Sequence, residues 1–263
     1  MNKLDLLLEN LHSTYGSVKR SRGPFLYTAK GVRLTDLFQE DGRAILGWGG
    51  TSAFTMLKNV LNRGTSGSYF TSETYRLEKA VSDFFTSRRK VFVFYEKSQA
   101  LNGAKILTGK DAVLYRPWLE NNVNWESVSA IVMEPALPWT EEFFILAVLE
   151  NDLTDKKENE ISAKKIAPPI LTAITRSFYD LSAALQNRQE KDWFIYDKIL
   201  CKYFTRKGPY LFPKIPEEKY DDFVNHCLKC EIVINPYFEK PSIVPFGADF
   251  GVFRKLEKNP FVI

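Results

Sequence analysis

The chain has 263 residues, of which 44% are hydrophobic, 14% aromatic and 26% charged. This balance is typical of a globular protein with its own core, and it argues against extended disorder, collagen and coiled coil. The formal net charge of +4 is spread along the chain without a basic block, so no nucleic-acid partner is expected.

Secretion and membrane association are not expected either. The sequence holds no tract of about 18 uncharged apolar residues, which a membrane-spanning helix needs. Its opening residues, MNKLD, do not resemble the start of a signal peptide. We therefore predict a cytoplasmic protein.

The first elements predicted along the chain are a helix and a hairpin. Leucines recur at helical spacing within residues 4–11, which favours a short amphipathic helix. Residues 25–28 and 32–37 are typical of paired strands. The turn between them contains Gly31, which can adopt a positive φ without steric cost.

The middle of the chain predicts helices alternating with strands. Apolar spacing indicates a helix over 53–61 and another over 72–85, with Ser72 as its cap. Short apolar runs of the kind that follow are typical of strands covered on both faces, which favours a mainly parallel α/β sheet. The strands are expected at 91–94, 112–115, 130–133 and 143–149, with a helix at 98–107.

A charged segment separates this region from the last third of the chain. Residues 151–165 are predicted to form an exposed loop, and Pro168 and Pro169 to begin a long helix. Residues 193–207 are also predicted to be helical. Shorter elements are expected at 208–213 (strand), 217–229 (helix) and 231–234 (strand).

The three cysteines do not indicate a disulfide framework, since their number is odd. Cys227 and Cys230 beside His226 could bind zinc with Cys201 as a fourth ligand. Cys227 and Cys230 lie on a predicted helix, where positions three apart share a face, so apolar packing is the favoured interpretation and no metal site is predicted.

Three groups of residues, taken in order, resemble one known family. Residues 26–36, LYTAKGVRLTD, resemble an opening hairpin, and residues 131–135, IVMEP, resemble an apolar strand that ends in Glu-Pro. The segments 208–212, 232–236, 242–245 and 249–251 follow in the order of a carboxy-terminal small domain. Together they resemble the class III pyridoxal-phosphate-dependent aminotransferases, which have the type I fold.

The resemblance implies a fold and an assembly. It implies an α/β fold in which residues 47–194 form a large domain, reduced in size, around a mainly parallel sheet. Residues 1–46 and 195–263 would form a small α+β domain. It also implies a homodimer. Several aromatic residues could line its interface, although they could equally belong to the core. These are Trp48, Tyr69, Phe70, Trp118 and Trp139.

The resemblance also implies a site for the cofactor phosphate at a helix start. The matching segment is 96–102, where Lys97 replaces a glycine of the family's turn and Glu96 adds a negative charge. Lys97 and Ser98 are the candidate phosphate ligands. Ser98 could instead simply cap the helix.

The remaining cofactor groups have weak counterparts. Relatives carry an Asp-Glu pair and a later Schiff-base lysine, but only about 30 residues separate Pro135 from Pro168. Asp152 could bind the pyridine nitrogen and Lys164 or Lys165 could be the catalytic lysine, although a charged loop that faces water is the favoured interpretation. The candidate ring-stacking residues are Tyr115 and Trp118, which could instead pack in the core.

Three functions compete. The first is an aminotransferase-like protein that has lost cofactor and catalysis and acts in binding or assembly. The second is a reduced but active pyridoxal-phosphate-dependent aminotransferase for a small amino or keto acid, with Arg254 binding the substrate carboxylate. The third is an unrelated α/β enzyme, although the sequence contains no Gly-x-Ser-x-Gly, phosphate-loop, Gly-x-Gly-x-x-Gly or His-Glu-x-x-His motif.

Overall fold

The computed structural model describes residues 2–49, 51–119, 122–153 and 155–263. The chain forms two compact units, one made of Met1–Gly49 with Arg188–Ile263 (unit 1) and the other of Gly50–Asn187 (unit 2). The sequence analysis placed the two boundaries after residues 46 and 194.

In the first two thirds of the chain, the helices of the described residues lie close to the predicted ranges. They are α1 (Lys3–Tyr15), α2 (Thr51–Asn62), α3 (Glu73–Phe85), α4 (Lys97–Thr108), α5 (Pro168–Asn187), α6 (Lys191–Phe194), α7 (Asp197–Leu200), α8 (Tyr220–Lys229) and α9 (Arg254–Lys258). Short 3-10 helices lie at Gln39–Gly42, Trp125–Ser127, Glu150–Asp152, Asp155–Glu160, Glu217–Lys219 and Phe250–Phe253. No helix in these ranges has both the length and the apolar character needed to cross a bilayer.

The strands form three sheets. They are β1 (Val18–Arg22), β2 (Phe25–Thr28), β3 (Arg33–Asp36), β4 (Arg89–Phe94), β5 (Val113–Leu114), β6 (Ala130–Met133), β7 (Phe144–Leu149), β8 (Phe204–Lys207), β9 (Tyr210–Pro213), β10 (Ile232–Val233) and β11 (Ser242–Ile243). Unit 1 contains the sheets β1-β2-β3-β10 and β11-β9-β8, and unit 2 contains the sheet β4-β7-β6-β5.

The sheet of unit 2 has one strand that opposes the others. β7 is antiparallel to both of its neighbours, β4 and β6, whereas β5 is parallel to β6. β4, β5 and β6 therefore run in one direction, and their carboxyl ends lie at the same end of the sheet. This is the mixed α/β arrangement in which helices cover the sheet faces.

α4 lies directly on one face of this sheet. Its Ala100, Ala104 and Leu107 pack against Phe94, Val132 and Leu146 in a buried core. Gly103 permits the close approach, because a Cβ there would lie 3.1 Å from the Phe94 ring and 3.3 Å from Leu146. α5 packs on α2 and α3 in the same unit.

One local prediction was confirmed in position and one was wrong. Ser72 is the cap residue of α3, but its side chain makes no capping hydrogen bond, and the Glu73 amide donates to the Thr71 hydroxyl at 3.4 Å. Residues 193–207 do not form one helix, since α6 and α7 are short and β8 pairs antiparallel with β9. Pairing with a later strand outweighs local helix preference there.

Other elements differ from the prediction in extent. β1 was not predicted because its sequence, VKRSR, is polar and largely exposed, yet it pairs antiparallel with β2. The charged segment predicted as a loop forms the 3-10 helices Glu150–Asp152 and Asp155–Glu160.

Unit 2 contains a buried arginine bound by neutral oxygens. The Arg89 side chain is 2% exposed, and its guanidinium donates to the carbonyls of Trp125 (2.6 Å) and Val128 (2.9 Å) and to the Ser87 hydroxyl (3.0 Å). Burial lowers its pKa to about 10. The side chain thus ties the start of β4 to the segment that precedes β6.

Replacing this arginine should destabilise the protein. Arg89→Met leaves the Trp125 and Val128 carbonyls buried without donors, and we expect a loss of about 3 kcal/mol in the free energy of unfolding. Urea unfolding measures it. Arg88→Met, on the exposed neighbour, is the control and should change stability little. Equal stability of the two variants would contradict the assigned role of Arg89.

Unit 1 contains a buried carboxylate. Asp36 is 1% exposed and accepts hydrogen bonds from the amides of Phe38 and Gln39, both at 2.9 Å, and from the Trp48 indole at 2.6 Å. Burial raises its pKa to about 6, although these hydrogen bonds act in the opposite direction. The folded state therefore holds the Asp36 proton more tightly than the unfolded chain does.

This carboxylate predicts a pH dependence of stability. Because the folded pKa is raised, the contribution of Asp36 is fully present below about pH 4 and is lost as the pH rises through about 6. Relative to Asp36→Asn, the wild type should lose about 2 to 3 kcal/mol of stability across that interval. Urea unfolding at several pH values measures the difference. Asp5→Asn, in the exposed part of α1, is the control, and a flat difference for Asp36→Asn would refute the shift.

Candidate functional site

A cavity of about 660 Å³ lies in unit 2 beside the outer edge of β4. We name it the β4-edge cavity. One wall is β4 itself, and the others come from residues 66–71, from α3 and from the segment that leads into α5. The lining residues used below are Leu77, Glu78, Lys90, Val91, Lys164 and Lys165.

Both predicted catalytic lysines line this cavity. The Lys164 amide donates to the Val93 carbonyl at 2.8 Å, so its segment runs along β4. The Lys165 ammonium donates to the Ser68 carbonyl and lies 5.2 Å from the centre of the Phe70 ring. Both lysines are exposed at the cavity.

A third lysine and a carboxylate complete the charged groups of the cavity. The Lys90 ammonium lies 3.1 Å from a carboxylate oxygen of Glu78, which is on α3. The hydrogen bond with Glu78 raises the pKa of Lys90, and Glu158 and Glu150 act in the same direction. The cavity is therefore lined by three ammonium groups and one carboxylate.

The outer edge of β4 presents backbone groups to the cavity. The Glu150 amide donates to the Arg88 carbonyl. In an antiparallel pair such hydrogen-bonded positions alternate along the strand, so the backbone groups of even-numbered β4 residues bond to β7. The N–H and C=O groups of odd-numbered residues then point away from β7, as the Val93 carbonyl does when it accepts from the Lys164 amide. Val91 lies between, so its N–H and C=O face the β4-edge cavity.

The predicted phosphate ligands lie at the start of α4. Lys97 and Ser98 are exposed, and the Ser98 hydroxyl lies 3.5 Å from the Glu96 carboxylate. Glu96 is the residue that precedes the helix and makes no side-chain capping bond. Ser98 therefore lies within the first turn rather than at the cap, so its interpretation as the helix cap was wrong.

Asp152 lies beside the amino end of β4, at the opposite end of the strand from Lys97 and Ser98. It follows β7, which ends opposite the start of β4, since Leu149 pairs with Arg89. Lys97 and Ser98 follow the end of β4. The Ser129 hydroxyl and the Lys110 ammonium, which lies 3.3 Å from the carboxylate, hold the pKa of Asp152 below its usual value.

Tyr115 is surrounded by other rings. It meets Phe84, Phe85 and Trp125 edge to face, with ring centres 5.5, 5.4 and 5.0 Å away. Burial raises the pKa of its hydroxyl. Trp118 is half-buried and has a positive φ of 60°.

Arg254 is in unit 1, where it begins α9 and is exposed. Among the predicted site residues, Lys164 and Lys165 line the β4-edge cavity and the other six do not. Lys90, Glu78 and residues 66–71 were not predicted to line a site. Lys90 precedes the predicted apolar run by one residue, and Glu78 resembles any other polar residue on a helix surface.

The cysteines do not form a metal site with their neighbours. All three are free thiols, and the Cys230 sulfur lies 3.9 Å from His226 Nε2. Nowhere in the described ranges do three His, Cys, Asp or Glu side chains gather in a way that could bind a metal ion. Cys227 is buried in the core of unit 1, as the packing interpretation predicted.

Two relatives match most of the chain in sequence. An uncharacterized protein of Treponema pallidum is 24% identical in an alignment of 289 positions, gaps included, that covers 88% of this chain and 89% of that protein. An uncharacterized protein of Borreliella burgdorferi is 25% identical in an alignment of 258 positions, gaps included, that covers 93% of this chain and 92% of that protein. No model of a protein family matches the sequence.

Solved structures give a stronger similarity. Acetylornithine aminotransferase from Elizabethkingia anophelis matches with a TM-score of 0.71 at 12% identity, over 98% of this chain and 99% of that one. Ornithine aminotransferase from Plasmodium yoelii matches with a TM-score of 0.69 at 10% identity, over 98% and 97%. The chain has the type I fold of pyridoxal-phosphate-dependent transferases. Identities this low show the fold and leave the activity to the site.

Proposed function

We propose that this protein has kept the type I fold without pyridoxal-phosphate chemistry, and that it acts by binding. The observation that carries the proposal is the separation of Asp152 from Lys97 and Ser98. Lys97 and Ser98 follow the carboxyl end of β4, whereas Asp152 follows β7, which ends beside the amino end of β4. The two groups therefore lie at opposite ends of the strands. A single cofactor would need all of them in one place.

The cofactor phosphate fits poorly at the start of α4. An anion there needs free amides and no competing negative charge. Glu96 places a carboxylate next to the first turn, 3.5 Å from the only hydroxyl of the predicted phosphate ligands, that of Ser98. Electrostatic repulsion by Glu96 therefore disfavours a bound phosphate.

The pyridine ring and its nitrogen fit poorly as well. Asp152 already has an ammonium partner in Lys110 at 3.3 Å, and the Tyr115 ring is covered by Phe84, Phe85 and Trp125. The cofactor ring could contact neither Asp152 nor Tyr115 without breaking these contacts. The residues present do not fit the cofactor, and we derive no catalytic step through it.

A second candidate function is a reduced but active aminotransferase for a small amino or keto acid. It is favoured by one observation, that Lys164 and Lys165 line a cavity of about 660 Å³ together with Lys90. Arg254, the predicted ligand of the substrate carboxylate, belongs to unit 1 and does not line this cavity.

Spectroscopy separates the two functions. Under the binding proposal, purified protein mixed with pyridoxal phosphate should show no visible absorbance band of its own. Borohydride treatment should leave its mass unchanged, because no lysine is held for the adduct. A yellow protein whose reduced adduct maps to Lys164 or Lys165, and which Lys164→Ala/Lys165→Ala abolishes, would establish the second function.

We also propose a homodimer. Tyr69 and Phe70 project into solvent, with Tyr69 87% exposed and Phe70 entirely exposed, and Tyr75 on α3 is 68% exposed. Large aromatic side chains grouped at the surface are typical of protein interfaces. Their position supports a contact with a second copy through unit 2.

Removing these rings should weaken the dimer. The dimer is expected in multi-angle light scattering of the wild type, and Tyr69→Ser/Phe70→Ser should shift it toward monomer at the same concentration. Phe194→Ser, which removes a 53% exposed ring from unit 1, is the matched control. A monomeric wild type at high concentration would contradict the proposal.

A cytoplasmic location remains part of the proposal. The free thiols of Cys201, Cys227 and Cys230 support it, because unpaired cysteines are typical of proteins in a reducing compartment.

A further inference from the structure

One face of the sheet β1-β2-β3-β10 in unit 1 presents arginines and aromatic rings together. Arg20 lies opposite Tyr27, and Tyr27 lies opposite Arg33. On the same strands, Arg22 lies opposite Phe25. Residues that face each other across paired strands lie on one side of a sheet, and so do residues two apart on one strand. These five side chains therefore share one side, which we name the arginine face.

The arginine face is the side of these strands that solvent reaches. Arg20, Arg22 and Arg33 are exposed, and the two rings are half-buried. Leu26 and Leu34 point to the opposite side and are buried. The guanidinium groups are therefore accessible to a partner.

The rings restrict two of the guanidinium groups. The Arg33 Cζ lies 4.4 Å from the centre of the Phe25 ring, and the Arg20 Cζ lies 5.6 Å from the centre of the Tyr27 ring. Such cation–π contacts hold an arginine side chain over a ring and leave its N–H donors free. The face thus presents positioned donors rather than freely moving ones.

The positive charge of this face is not balanced by the described part of the chain. None of the three guanidinium groups forms an ion pair or a hydrogen bond with a residue in that part. Strand geometry places the Cα atoms of Arg20 and Arg22 about 7 Å apart and those of Arg20 and Arg33 about 10 Å apart. The Debye length is about 10 Å at 0.1 M salt, so the three charges act together on a polyanion.

Rings among the arginines favour single-stranded nucleic acid over other polyanions. Unpaired bases stack on aromatic rings and on guanidinium planes, while the phosphates bind arginine. One class of RNA-binding domain binds bases in this way on a four-stranded sheet, and this sheet also has four strands. An acidic peptide offers fewer flat groups to stack. A bilayer surface requires apolar side chains that project into it, whereas both rings here are half-buried.

The charge pattern along the chain does not predict this partner. The arginines occupy positions 20, 22 and 33 and form no contiguous basic block, which is the pattern that indicates nucleic-acid binding in a sequence. Antiparallel pairing of the strands brings the three positions onto one face.

We propose that the arginine face binds single-stranded nucleic acid. The guanidinium groups of Arg20, Arg22 and Arg33 bind phosphates, and bases stack on the pairs that the guanidinium groups form with Phe25 and Tyr27. This inference rests on the proposed binding function and names a partner class for unit 1.

Fluorescence anisotropy of a labelled oligouridylate of about ten nucleotides measures the binding, and an oligothymidylate of the same length distinguishes RNA from DNA. Arg20→Ala/Arg22→Ala/Arg33→Ala should weaken binding at least tenfold and reduce its salt dependence, because fewer counterions are released. Tyr27→Leu keeps an apolar side chain but removes the ring, and it should weaken binding at least fivefold. Circular dichroism checks that each variant is folded.

A matched control separates the arginine face from the net charge. Lys191→Ala/Lys202→Ala/Lys258→Ala removes the same charge from exposed positions elsewhere in unit 1 and should change the affinity little. The inference is wrong if neither oligonucleotide binds, if this control weakens binding as much as the arginine variant does, or if folded Tyr27→Leu binds like the wild type. It is equally wrong if a duplex of the same length binds as tightly. Displacement of the oligonucleotide by oligoglutamate or by phosphatidylserine vesicles at equal charge would also overturn it.

The outcomes for the two proposals are separable. A borohydride-reducible lysine adduct with pyridoxal phosphate would overturn the proposed function whatever the oligonucleotides do. Absence of oligonucleotide binding, in a protein that also forms no adduct, would overturn this inference alone.

Discussion

The edge position of β4 is the constraint on which the rest of unit 2 depends. An edge strand leaves alternate backbone groups without a neighbouring strand, and each must find another partner. The Arg89 amide donates to the Ser82 hydroxyl at 3.0 Å, and the Val93 carbonyl accepts from the Lys164 amide at 2.8 Å. The first contact fixes α3 to the strand, and the second fixes the segment that leads into α5. Val91, between them, faces the cavity.

Each unit also contains one buried charge held by neutral groups. Arg89 donates to carbonyls in unit 2, and Asp36 accepts from two amides and an indole in unit 1. Burying a charge is costly, and it persists only where hydrogen bonds replace water. Arg89 binds the segment that precedes β6, and Asp36 binds residues of the segment that follows β3, so each charge specifies how a loop packs onto its sheet. Neither lines the β4-edge cavity.

The fold and the site give different information about function. Similarity to aminotransferase structures shows how the chain folds, but catalysis needs particular groups at one place. β7 separates the candidate groups that the resemblance implied, because it runs in the opposite direction and places Asp152 away from the carboxyl ends of β4 and β6. What the fold does bring together at the outer edge of β4 is Lys90, Lys164 and Lys165 with the Glu78 carboxylate.

By itself, the sequence determined the elements whose pattern is local. The period of apolar residues predicted α3, α4 and α5, and apolar runs predicted β4, β6 and β7. Lys164 and Lys165 could be selected as a pair because they are adjacent in sequence. Only the tertiary structure decided that Lys90 and Glu78 join them, that Asp152 does not, and that residues 204–207 form a strand. The direction of β7 and the pairing of β8 with β9 are set by contacts between different segments. The residue pattern within one segment does not show which other segment it contacts.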